Sequence, residues 1–114
     1  MHEFAITQSL LDMAVAKARE ARAGRVTAIN LVIGGLSDVV DECVRFYFDM
    51  LSGETLARGA QLNFRKVPLQ IRCRGCGAAY NPVPGAPWTC PACGGSDAEI
   101  ASGKEFFIES IEVE

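Results

Sequence analysis

Apolar residues between Phe4 and Ala23 recur every three or four positions. Leu10, Ala14, Ala18 and Ala21 share one face, Leu11 and Met13 widen it, and Lys17, Arg19, Glu20 and Arg22 take the remainder. This period predicts an amphipathic helix ending near Gly24, and its alanines favour that state. From Arg25 to Gly34 the pattern changes to β-branched bulk on both faces, through Val26, Ile29, Leu31, Val32 and Ile33. That is the signature of a central strand. Gly34 and Gly35 interrupt it, and Ser37 or Asp38 is placed to cap a second helix over Val39–Leu51. Val40, Cys43, Val44, Tyr47, Phe48 and Leu51 form its broad apolar face, which puts Cys43 in the core. Gly53 closes the helix. Ala60–Leu69 reads as another strand through Leu62 and Phe64. Lys104–Glu114 reads as a last one, whose apolar phase slips between Ile108 and Ile111 as at a bulge.

Between Cys73 and Gly95 the chain changes character. Five glycines, four prolines and four cysteines replace the aliphatic residues, so side chains alone supply too little core there. The last strand is expected to rejoin the first sheet. The sequence therefore predicts an α+β fold, a small mixed sheet packed by two helices, with an inserted four-cysteine ribbon. The main lobe comprises 1–69 plus 104–114, and the inserted lobe comprises 70–103.

Composition narrows the function. An apolar fraction of 49% in 114 residues fits a folded domain, and a net charge of -3 gives no pull toward nucleic acid or anionic membrane. Charged residues interrupt the first twenty positions, so there is no signal-peptide core, and no apolar run has the length of a membrane span. These features predict a cytoplasmic protein, and in a reducing compartment its cysteines are unlikely to be paired as a disulfide framework.

Four cysteines form two C-x-x-C-G knuckles, Cys73/Cys76 and Cys90/Cys93, separated by thirteen residues. Two intervening residues let one turn present both sulfurs to one ion, and the following glycine lets the backbone curl so that amides face the sulfurs. Four thiolates in a tetrahedron favour Zn(II) and leave no open coordination position, so the predicted site is structural and the chain is not a zinc enzyme. Arg72 and Arg74 flank the first knuckle. Trp88 and Tyr80 either meet a partner or cover the metal site.

His2 is the only histidine. The terminal amine of Met1, the His2 amide and imidazole and the Glu3 amide are four nitrogens in close succession. Together they can set up the square-planar field that suits Ni(II) or Cu(II), with Glu3 adding negative charge. A lone histidine at a chain terminus is also commonly just solvated. Both readings stand on the residues alone.

Several features together resemble the HypA/HybF family of nickel metallochaperones. These are the opening "MHE", the helix–strand–helix–strand body, Ile33-Gly34 closing the first strand, the phenylalanine-containing second helix and the paired knuckles. The resemblance spans essentially the whole chain. It implies a nickel site at His2 with the backbone nitrogens of Met1 to Glu3, and structural zinc on Cys73, Cys76, Cys90 and Cys93. It further implies transient Ni(II) cargo, a HypB-type GTPase partner and the [NiFe]-hydrogenase large-subunit precursor as target, with urease maturation proteins in some organisms. Some members carry histidines beside the knuckles, and this chain has none there. The alternative is a zinc-ribbon protein-interaction scaffold without nickel transfer.

Overall fold

The computed structural model describes residues 3–83 and 85–114, so Met1, His2 and Pro84 lie outside the described residues. Helix α1 (Glu3–Glu20) leads into strand β1 (Val26–Gly34), helix α2 (Asp41–Leu51) and strand β2 (Gln61–Val67). Three short strands follow, β3 (Gln70–Cys73), β4 (Ala79–Tyr80) and β5 (Ala98–Ser102), and then β6 (Phe106–Val113). No helix among the described residues is long and apolar enough to cross a membrane. Two compact units result, one of residues 1–32, 38–65 and 106–114, the other of 33–37 and 66–105.

The first unit is built on β1, which lies between β2 and β6. Contacts with β2 advance in the same direction along both strands, from Asn30 with Asn63 to Gly35 with Val67, as in a parallel pair joined by a helical crossover. Contacts with β6 run oppositely, from Arg25 with Glu114 to Asn30 with Ser110. The sheet is therefore mixed. Leu10, Leu11, Ala14 and Ala18 from α1 are buried, as are Ile29 and Leu31 from β1 and Val44 and Phe48 from α2. In β6 the consecutive Glu109 and Ser110 are both exposed and meet Arg65 and Asn30, while Ile108 and Ile111 are both half-buried. The alternation thus slips by one residue where the sequence suggested it.

Three local expectations are corrected. Met13 and Ala21 are exposed, because the buried stripe of α1 is narrower than its apolar pattern. Helix α1 stops before Gly24. Arg22 takes φ 56°, and the Ala23 N–H reaches back to the Ala18 carbonyl at 2.9 Å, a Schellman-type closure. Cys43 is exposed, not in the core. The buried line of α2 runs through Val44 and Phe48, and the neighbouring position is turned about 100° away from it. A left-handed arginine is strained where glycine is not. Arg22→Gly should therefore stabilise the protein by about 0.5–1 kcal/mol in urea unfolding, part of the relief being offset by glycine's extra freedom in the unfolded chain.

Neither Ser37 nor Asp38 is the α2 N-cap. That position is Val40, whose side chain cannot cap. Its N–H instead donates to the carboxylate of Glu3 at 3.3 Å, thirty-seven residues away in the chain.

In the second unit β3 is central and pairs antiparallel with both neighbours, Ile71 facing Tyr80 in β4 and Ile100 in β5. Its core is small: Ile71, Cys73, Tyr80 and Cys90, flanked by Leu69, Ala78, Ala98 and Ile100. Backbone bonds tie the segments that frame it. The Gly34 N–H donates to Glu105 O at 2.7 Å, Leu36 N–H to Gly103 O at 2.7 Å and Gly35 N–H to Val67 O at 2.9 Å. Gly34 and Gly103 cross so closely that a Cβ on Gly34 would overlap the Gly103 carbonyl, and Gly103 itself has φ 114°.

Candidate metal centre

The two knuckles repeat one local design. Cys73 ends β3, and the chain turns so that Gly77 N–H donates to Cys73 O at 2.8 Å. In the second knuckle Gly94 N–H donates to Cys90 O at the same 2.8 Å. Gly77 and Gly94 have φ 78° and 75°, in the left-handed region that only glycine enters freely, which is why each pair is followed by glycine. Each knuckle supplies one buried sulfur (Cys73, Cys90) and one exposed one (Cys76, Cys93).

The sulfurs converge across the knuckles. Cys73 Sγ lies 3.5 Å from Cys93 Sγ, and Cys76 Sγ lies 3.6 Å from Cys90 Sγ. All four fall within 4.8 Å of one another. A regular tetrahedron with zinc–sulfur bonds of about 2.3 Å has sulfurs about 3.8 Å apart. The donor set and its spacing therefore fit a closed, four-thiolate zinc-type site.

The electrostatics agree with that fit. The Cys93 N–H is the largest influence on the Cys90 thiol, and with the Ala92 N–H it brings Cys90 down to about 7. For Cys93 the Gly95 N–H pulls downward, yet Cys73, Cys76 and Cys90 outweigh it and push the thiol up to about 12. Cys76 is raised too; the Ala78 N–H opposes the rise, and Cys90 and burial drive it. Backbone amides thus favour ionisation, while the crowded sulfurs share it unequally, Cys90 being eased and Cys93 opposed by its neighbours. A shared divalent cation removes that conflict.

Around the sulfurs, Arg74 is bound to Asp97 at 3.1 Å and lies 3.9 Å from Glu99, all at the surface. The two aromatic candidates divide. Trp88 is partly exposed and borders a cleft with Pro68, Pro82 and Val83. Tyr80 is buried against Cys73 and Cys90. Its phenol pKa is raised, first by burial and then by the charge of Cys90, Cys73 and Cys93.

Of the amino-terminal candidates, Met1 and His2 lie outside the described residues. Glu3 is buried at the first turn of α1. Its carboxyl is held below the ordinary carboxylate range, first by its own backbone N–H and next by that of Val40. One carboxylate thus answers the open N-termini of two helices, a role that sequence reading missed. The acidic first-turn position was the available signal, but nothing in the chain order pointed to Val40.

Comparison with known proteins gives the wider frame. A family model described as "Hydrogenase/urease nickel incorporation, metallochaperone, hypA" matches residues 1–113. A hydrogenase maturation factor HypA from Dehalococcoides mccartyi is 49% identical over 114 residues, covering 100% of this chain and 95% of that one. Two solution structures share the fold. One is of a HypA protein, with TM-score 0.76 and 22% identity over 99% of this chain and 96% of that chain. The other is of the Ni metallochaperone HypA from Helicobacter pylori, with TM-score 0.67 and 21% identity over 99% and 97%. A metallochaperone carries an ion and does not catalyse a reaction. Matched along essentially its full length, the chain belongs to the HypA family of hydrogenase and urease nickel-incorporation factors.

Proposed function

We propose that this protein holds two metals in different ways: Zn(II) as a resident on Cys73, Cys76, Cys90 and Cys93, and Ni(II) as cargo at the amino terminus. The observation that carries this reading is the convergence of four sulfurs within 4.8 Å. A four-thiolate shell is closed, so an ion held there is not readily passed on. Cargo needs another site, and His2 is the only histidine in the sequence. Its imidazole would act with the terminal amine and the backbone nitrogens of Met1 to Glu3. The Glu3 carboxylate is already committed to backbone N–H groups, so Glu3 contributes backbone nitrogen and charge to the nickel site and no free carboxylate ligand.

A site built from a chain terminus can be dismantled by moving that terminus, which suits an ion in transit. Copper outranks nickel on nitrogen donors, so selectivity comes from metal supply and from the recipient. In this reading the protein works in the cytoplasm. It passes nickel, with a HypB-type GTPase, to the [NiFe]-hydrogenase large-subunit precursor, and urease maturation proteins are a second outlet.

The test is a nickel titration of tag-free protein beside His2→Ala, with zinc measured in both. The expected result is loss of stoichiometric nickel binding with zinc unchanged. Equal nickel uptake by the variant would leave only a zinc-stapled scaffold.

A further inference from the structure

The two cysteine knuckles are joined by more than their sulfurs. The antiparallel ladder of β3 with β5 runs from Ile71 opposite Ile100 to Cys73 opposite Ala98. One more backbone bond continues it, from the Arg74 N–H to the Asp97 carbonyl at 2.9 Å. The same two residues also meet through their side chains. Arg74 Nη1 donates to Asp97 Oδ1 at 3.1 Å, and Arg74 Nε lies 3.9 Å from Glu99 Oε2. Arg74 stands between Cys73 and Cys76 in the first knuckle, and Asp97 and Glu99 follow the second. One arginine inside the first knuckle thus holds the chain that leaves the other, with main chain and side chain together.

We infer that Arg74 is a positioning residue for the four-sulfur site: it clasps the two knuckles together and so slows release of the ion they hold. A closed four-thiolate shell has no free coordination position, so an ion leaves only as sulfurs let go. Solvent reaches the shell at Cys76 and Cys93, one from each knuckle. Letting go there means parting the two turns, and the Arg74 contacts oppose that movement. Arginine suits the task, because its planar guanidinium presents several donors at once and can face both carboxylates. All three side chains are exposed, with Arg74 56% accessible. The clasp therefore changes how fast the ion leaves by a few-fold and does not decide whether it binds.

The inference rests on the four-thiolate reading, and loss of Co(II) from the full chain to excess chelator, followed by thiolate-to-cobalt absorption, separates the two. At low salt Arg74→Met should release cobalt about 3-fold faster than the parent. Arg74→Lys keeps the charge and should recover most of the difference. In about 1 M salt, where the Debye length falls to about 3 Å, the parent should release as fast as Arg74→Met. The backbone bond to Asp97 is available to every variant, so the comparison isolates the guanidinium. Equal rates at low salt overturn the clasp. So does a difference that survives high salt or that lysine does not repair, which would mean that the side chain acts by packing alone. A parent protein without the thiolate absorption would overturn the metal reading and this inference together.

Discussion

Cys90→Ser should abolish metal binding at the proposed four-sulfur site and unfold the second unit while the two helices persist. Cys90 is one of the two buried sulfurs and sits in a core of four residues, too few to hold 33–37 and 66–105 together unaided. For small zinc modules, binding of the ion supplies folding free energy of roughly 10–16 kcal/mol, far beyond what Ile71 and Tyr80 return by burial. Both helices belong to the other unit, with its own core around Leu10, Ile29 and Phe48. Nuclear magnetic resonance spectra of the variant should therefore show residues 70–102 collapsing to unfolded shifts, with far-ultraviolet dichroism keeping its helical signal. Chelation of the proposed zinc from the parent should give the same spectrum. A variant that retains full zinc and a dispersed spectrum would remove the closed-site argument, and the two-metal division with it.

Gly34→Ala should be the most damaging glycine-to-alanine change among the described residues. The added carbon would meet the Gly103 carbonyl and the Glu105 amide. These are backbone atoms already fixed by the Gly34–Glu105 and Leu36–Gly103 bonds at 2.7 Å, and neither can rotate out of the way as a flexible side chain does. Overpacking of this kind costs about 3 kcal/mol, which lowers the melting midpoint by about 10 °C or more for a domain of this size. Gly35→Ala is the control. Its Cβ would come no closer than 3.4 Å to Leu69 N, so its midpoint should stay near the parent's. Similar losses in both variants would show that the glycine pair matters for flexibility and not for the crossing.

What could be read from the chain followed from how each signal is encoded. Helix α1 announces itself through periodicity, and the β-branched bulk on both faces of β1 correctly placed it at the sheet centre. The convergence of the sulfurs was legible too, because C-x-x-C-G carries its geometry locally, in the left-handed Gly77 and Gly94. Features that depend on distant partners were not legible. Cys43 fits the apolar face of an isolated α2, and only the packing shows that Val44 and Phe48 define the buried line. Val40 caps α2 without a polar side chain because Glu3 supplies the acceptor from across the chain. Strands such as Ala79–Tyr80 are too short to show an alternation. Gly34 and Gly103 each look like a simple breaker until they are seen face to face.

The ladder between β1 and β6 has a consequence for synthesis. Thr27 bonds to Glu112, a separation of 85 residues, so β1 leaves the ribosome long before its antiparallel neighbour exists. The sulfur contacts span only 14 and 20 residues, and loops of that length close early. A nascent chain can thus finish its cysteine knuckles while one edge of the principal sheet is still bare and prone to wrong pairings. The interval before residues 106–113 emerge, and not the closing of the knuckles, should then govern how much of the protein escapes aggregation.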